Sequence, residues 1–420
     1  MNTLTRGLLE QAINATQQLL QFRQPADAVL SAFFRAQRCG PRERAFIAEA
    51  AYAVLRRWRS LATWIGPEGT TKQLVLAALV RHCGVSQRML EAALSKRDAE
   101  WLAEFKARPE PALMLAAQTE LPDWLVERLG ALMPEADLLA LTRALNQPAP
   151  LDLRVNTLKS DRNVVLARFE QDNIAAKACP FAPEGIRLAG KPALAKHPLF
   201  LDGSIEVQDE GSQLLGHLLA PKRGEMVVDF CAGAGGKTLL LGALMRSTGR
   251  LYAFDVSDKR LAKLKPRLAR SGLSNVHPAV IAHENDTHVK RLAGKCDRVL
   301  VDAPCSGLGT LRRNPDLKWR QTPQSVAELT VKQAAILAAA AKLLKPGGRL
   351  VYATCSLLPE ENVQIVDAFL AAHPEFSRRP AHEVLDAQGI RIDLPGDDLQ
   401  LLPHLHGTDG FYAAVLERKA

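Results

Sequence analysis

At 420 residues, with 47% hydrophobic and 24% charged side chains, the chain has an ordinary soluble globular balance and the length for two or three units, each able to bury a core. Its net charge of +9 and pI near 9.2 favour a polyanionic partner, because clustered Lys and Arg displace counterions from phosphates. The opening residues mix Asn, Gln, Thr and Glu with the apolar ones, and no later run of about twenty apolar residues appears. Neither a secretory leader nor a membrane span is therefore expected, and the expected compartment is the cytoplasm. Seven cysteines form no Cys-x-x-Cys pair, which argues against a zinc site or a disulfide framework and leaves no metal expected.

The first part of the chain, 1–145, reads as helix after helix. In "TRGLLEQAINATQQLLQF" the residues Leu8, Ala12, Ala15 and Leu19 recur at the spacing of one helix face. Pro25 opens a second helix and Pro41 a third, which carries Arg56, Arg57 and Arg59 beside Trp58; a solvated face is the expectation there, with RNA contact the alternative. From about 146 to 215, short apolar runs alternate with Gly and Pro turns, the texture of a small α+β region. The remainder, 216–420, repeats strand, loop and helix: "EMVVDF", then "KTLLLGALM", "GRLYAFDV", the helix after Ser257, "CDRVLVDAP", a long helix and "RLVYATC". This alternation predicts a doubly wound, mostly parallel α/β sheet, with ligands at the carboxyl ends of its strands.

The loop "VVDFCAGAGGKT" follows the first of those strands. A P-loop closing on Gly236 and Lys237 requires glycine at position 231, and Cys231 stands there instead. The loop Cys231, Ala232, Gly233, Ala234, Gly235, Gly236, Lys237 still brings backbone amides to a helix start, and Asp255 ends the next strand where an acid accepts ribose hydroxyls. NAD and S-adenosylmethionine satisfy both features equally well. The later strand ends choose between them: Asp302 and Cys305 follow one strand, Cys355 another. Cytosine C5 accepts a methyl group only after a thiolate has added at C6, and a base must then take the C5 proton so that the thiol leaves. Two thiols meet those needs, Asp302 is placed to stabilise charge at N3, and Lys237 is the nearby cation for lowering a thiol pKa.

The segments "QDEGSQ", "DFCAGAGGKT", "DRVLVDAPCSGLGTLRRNPDLKW", "VYATCSLLPEENVQIV" and "HGTDGFYAAVLER" resemble successive motifs of the Sun family of RNA cytosine-5 methyltransferases. "RERAFIAEAAYAVLRR" resembles the NusB-like helical RNA-binding domain that bacterial ribosomal RNA members carry, so the likeness spans nearly the whole chain. It implies a Rossmann-like S-adenosylmethionine methyltransferase domain in which Cys355 attacks C6 and Cys305 serves product release. It also implies that the loop from Cys231 to Lys237 holds S-adenosylmethionine, with Asp255 on the ribose, Asp286 (or its rival Glu284) at the adenine end, and Asp302 beside both cofactor and base. "LRVNTLK" resembles the start of the RNA-contacting insert, which implies RNA contacts from Arg154 and Asn156; Arg312, Arg313 and Lys318 are expected on phosphates. Small-subunit ribosomal RNA is the implied substrate, with transfer RNA, a small-molecule methyl acceptor and a non-catalytic RNA-binding assembly factor as alternatives.

Overall fold

The structure is a computed structural model and describes residues 4–420. It comprises two compact units: one runs through Pro148 and adds Thr310–Pro323, and the other holds Ala149–Gly309 and Gln324–Ala420.

Among the described residues the first unit contains helices and no strand. Thr5 caps the helix Arg6–Leu19 by accepting from the Leu8 amide, and the buried face is Leu9, Ala12, Ala15, Thr16 and Leu19; Leu8 packs only at its margin. Pro41 opens the helix Pro41–Ile65, where Glu43 Oε2 accepts from the Gly40 amide at 2.6 Å. Ile47, Val54, Leu55, Leu76, Leu79 and Phe105 fill the core of this unit. The arginine run is not the solvated face expected from sequence. Trp58 meets Trp319 edge-on with ring centroids 4.8 Å apart, Arg56 Nη2 donates to the Arg312 carbonyl at 3.0 Å, and Arg59 Nη1 donates to the Leu121 carbonyl and to Asp123. The run is the seat of the segment 310–323, whose aromatic and cationic side chains need an apolar wall and carbonyl acceptors.

The second unit carries two sheets. Strands β1 (Leu151–Val155), β2 (Ala176–Ala178), β3 (Gly185–Leu188) and β4 (Ile205–Val207) form an antiparallel sheet in the order β2-β3-β1-β4, with Val165 and Phe169 of the helix Arg162–Gln171 in its core. The helix Glu210–Leu219 then packs Leu214, Leu215 and Leu218 into the same core as Val227, Leu300 and Val351 of the larger sheet. The division expected at 215/216 therefore runs through a helix.

The larger sheet has strands β5 (Met226–Asp229), β6 (Arg250–Asp255), β7 (Val276–Val280), β8 (Cys296–Asp302), β9 (Leu344–Thr354), β10 (Phe376–Arg379), β11 (Leu399–Leu401) and β12 (Phe411–Arg418). Its order is β10-β12-β9-β8-β5-β6-β7, with β11 beside β12; β5 to β9 pair in parallel and β12 runs antiparallel to β9. Val228, Val299, Leu300, Leu350 and Val351 are fully buried, as the central strands of a sheet covered on both faces require. Successive strands step outward from β5 through β6 to β7, and the chain then crosses back to β8. The reversal between β5 and β8 is a switch point in the topology, and a doubly wound sheet takes its ligand at the carboxyl ends of the strands there. No helix among the described residues is long and apolar enough to cross a membrane.

Candidate active site

The glycine loop leaves β5 at Asp229 and closes on the helix Gly236–Leu244. Gly235 has a left-handed φ of 80°, and a Cβ there would lie 2.2 Å from Leu264 Cδ1, so only glycine permits both the turn and the packing beneath it. Asp255, at the end of β6, is buried and reads the loop directly: Oδ2 accepts from the Gly233 amide at 2.8 Å and Oδ1 from the Ser257 amide at 2.7 Å. Each oxygen retains a lone pair for a further donor. Asp229 accepts from Thr238 Oγ1 at 2.6 Å, and burial pushes its carboxyl up to about 7. Cys231 lies in the same loop, but burial, with Asp302 and Asp229 nearby, drives its thiol far above the ordinary range and leaves it inert.

Lys237 Nζ lies 2.7 Å from Asp302 Oδ2. Burial opposes the lysine charge, yet the carboxylate of Asp302 prevails and holds Lys237 above its usual value. Beyond these strand ends the two expected thiols come together, with Cys305 Sγ 3.4 Å from Cys355 Sγ. The close approach has a backbone cause. The Gly309 amide donates to the Cys355 carbonyl at 2.8 Å and the Gly410 amide to the Gly309 carbonyl at 2.8 Å; a Cβ on Gly309 would meet the Gly410 oxygen at 2.2 Å. The shared hydrogen bond with Cys355, then burial, then the charges of Cys355 and Glu361 raise the Cys305 thiol well above its ordinary value.

The other expected site residues have different surroundings. Asp286 caps the short helix Thr287–Lys290, accepting from the Ala282 and His288 amides, and these bonds hold its carboxyl well below the usual range. Glu284 accepts from its neighbour Asn285. Four of the five residues expected on RNA are buried. Arg154 is 2% exposed and its Nη1 donates to Gln208 Oε1 and, at 2.7 Å, to the Gly236 carbonyl, so it clamps the glycine loop from below. Asn156 Nδ2 donates to the Gly203 and Ser271 carbonyls. Lys318 is fully buried, donating to Asn146 Oδ1 at 2.9 Å and to the Arg56 carbonyl at 3.2 Å, and burial pushes it down to about 7. Arg312 is 7% exposed, and only Arg313 is half-buried. Arg154, Asn156 and Lys318 hold carbonyls in place, and these three side chains and Arg312 are buried in the fold, where the sequence led to the expectation of contact with phosphates. Sequence reading also passed over Asp229 and Glu361. The first was visible as an acid closing a strand; nothing in "LLPEEN" separates Glu361 from Glu360.

The parallel strand order, the glycine loop at the switch point and the acids closing β5, β6 and β8 define a Rossmann-like fold, and its relatives place it among the methyltransferases. Residues 216–417 match the family described as 16S rRNA methyltransferase RsmB/F, and residues 121–195 match the RsmF/B-like ferredoxin-like domain. The chain is 39% identical to the probable ribosomal RNA small subunit methyltransferase B of Synechocystis sp. over 73% of its own length and 68% of that protein. It is 32% identical to ribosomal RNA small subunit methyltransferase B of Klebsiella pneumoniae over 100% of its length and 98% of the relative. The crystal structure of PH0851 aligns with a TM-score of 0.80 at 26% identity, covering 99% of each chain. The chain belongs to the 16S rRNA methyltransferase RsmB/F family.

Proposed function

We propose that this chain methylates C5 of a cytosine in RNA, with small-subunit ribosomal RNA as substrate and S-adenosylmethionine as methyl donor. The observation that carries the reading is the pair of thiols 3.4 Å apart at the ends of neighbouring parallel strands, beside the Lys237–Asp302 ion pair. Both relatives named above are ribosomal RNA small subunit methyltransferases by description, and the +9 charge suits an RNA partner.

The donor set suits S-adenosylmethionine: Asp255 has lone pairs for ribose hydroxyls, the loop from Cys231 to Lys237 would hold the cofactor, and Asp286 is the acid assigned to its adenine end. When bound, that cofactor supplies an electrophilic methyl group. The protein's own part begins with the Cys355 thiolate, which adds to C6 and makes C5 nucleophilic. The negative charge that spreads toward N3 on addition is met by the Lys237 ammonium, which the Asp302 carboxylate holds in place. While Cys355 is a free thiolate, the neighbouring Cys305 keeps its proton. Adduct formation removes that thiolate, so Cys305 then releases its proton to water more readily. Its thiolate takes the C5 proton after methyl transfer, and Cys355 departs as a thiolate by elimination. One proton is released per turnover, and both thiols return to their starting states.

The test is purified protein with radiolabelled S-adenosylmethionine and unmodified small-subunit ribosomal RNA, followed by nucleoside analysis. Wild type should give 5-methylcytosine, Cys355→Ala none, and Cys305→Ala an RNA adduct that survives denaturation. Label in another nucleoside, or full turnover by Cys355→Ala, would reject the reading.

A further inference from the structure

Both active-site cysteines are followed by serine, and the two serines converge on one acid. Glu361 is fully buried, and its carboxylate collects four donors. Oε1 accepts from the Ser306 amide at 2.8 Å and from Gln333 Nε2 at 3.0 Å. Oε2 accepts from Ser306 Oγ at 2.5 Å and from Ser356 Oγ. The serine hydroxyls also lie 3.2 Å from each other.

The acid is itself fixed from several sides. Tyr352 of β9 donates its hydroxyl to the Glu361 carbonyl at 2.7 Å, and Gln333 donates to the Pro304 carbonyl as well as to the carboxylate. Its neighbour Asn362 binds Thr354 Oγ1 and the Ser356 carbonyl, the residues on either side of Cys355. A fully buried carboxylate is costly unless its lone pairs are filled, and here serine and glutamine donors fill them. A glutamate whose only task was packing would need neither serine.

We propose that Glu361 is a positioning residue: it ties the loop after β8 to the loop after β9 through the serine following each cysteine, and so sets the distance between the Cys305 and Cys355 thiols. Its influence on the reaction runs through Ser306 and Ser356, one residue from each sulfur. This deepens the cytosine-5 reading and rests on it.

The test compares wild type with Glu361→Gln, which keeps size and shape but replaces one accepting oxygen with a donor. Steady-state turnover on the RNA that wild type methylates should show kcat about 100-fold lower, the effect of displacing a reacting group by roughly 1 Å, with KM for S-adenosylmethionine little changed. A second readout needs no substrate: iodoacetamide labelling of Cys305 and Cys355, resolved by peptide mass spectrometry, should change several-fold relative to Cys39, whose rate should stay constant. Unchanged kcat together with unchanged labelling would overturn the proposal, as would losses that merely follow the unfolded fraction in a thermal melt. If Glu361→Gln does not fold, the double variant Ser306→Ala/Ser356→Ala carries the same expectations. Failure of wild type to produce 5-methylcytosine would instead strike the reaction assignment, while the labelling still decides the geometry.

Discussion

Asp229 closes β5 with 1% of its surface exposed, accepts from Thr238, and is pushed by burial up to about 7. In the unfolded chain such a carboxyl titrates near roughly 4. Between those values the folded protein holds the proton more tightly than the unfolded chain, so the stability this group contributes is full below about pH 4 and is lost as pH rises through about 7. Asp229→Asn should flatten that part of the stability profile. Urea melts of the cofactor-free protein from pH 4 to 8 should show the two proteins diverging by up to roughly 4 kcal/mol across the window. Parallel profiles would mean that the acid is not protonated in the fold. At this scale the sequence discloses residues whose chemistry is tied to a strand end, such as Asp255, Asp302, Cys305 and Cys355. It hides those whose role depends on burial from another element: Arg154 reads as a surface cation until Gln208 and the Gly236 carbonyl are seen around its guanidinium.

The loop between β5 and the helix Gly236–Leu244 owes its shape to a contact with another element. Since a Cβ on Gly235 would lie 2.2 Å from Leu264 Cδ1 and φ is 80°, Gly235→Ala should combine left-handed strain with overpacking. A loss of about 2–3 kcal/mol in a denaturant melt is expected, with weaker cofactor binding by calorimetry. A change below about 0.5 kcal/mol would mean that the helix carrying Leu264 shifts freely. Strands β5, β6, β8 and β9 are legible because each carries an apolar run, Val227–Val228, Leu251–Phe254, Val299–Val301 and Leu350–Ala353 respectively. β7, "VHPAV", is not: it is an edge strand with mostly exposed side chains and a central proline, so it lacks the apolar run that marks its neighbours. The helix Glu210–Leu219 is not read from the sequence, where the division expected at 215/216 cuts it, and its membership in the main core follows from tertiary packing of Leu214, Leu215 and Leu218.

In the whole molecule the segment Thr310–Pro323 belongs with the helices of the first unit, although the chain enters it directly from the loop bearing Cys305. Sequence order gives no sign of this, because Trp319 and Lys318 find Trp58, Arg56 and Asn146 only across more than 150 residues. A chain consisting of 149–420 should therefore keep its sheets yet expose 310–323. Limited proteolysis should cut it there at a protease dose that leaves the full chain intact in this segment, and equal protection in both would contradict the assignment. The general basicity acts at this scale too. RNA affinity should fall steeply between 50 and 200 mM salt, roughly tenfold or more, while cofactor affinity hardly moves.

β12, residues Phe411–Arg418, lies between β9 and β10 in the sheet, and Gly410 just before it binds the loop that brings the thiols together. A chain without residues 411–420 would leave β9 with a bare edge, a template for pairing with another chain. It would also lose the strand that holds Gly410 against Gly309, so removal of β12 couples a tendency to aggregate to a loosening of the loop between the two thiols.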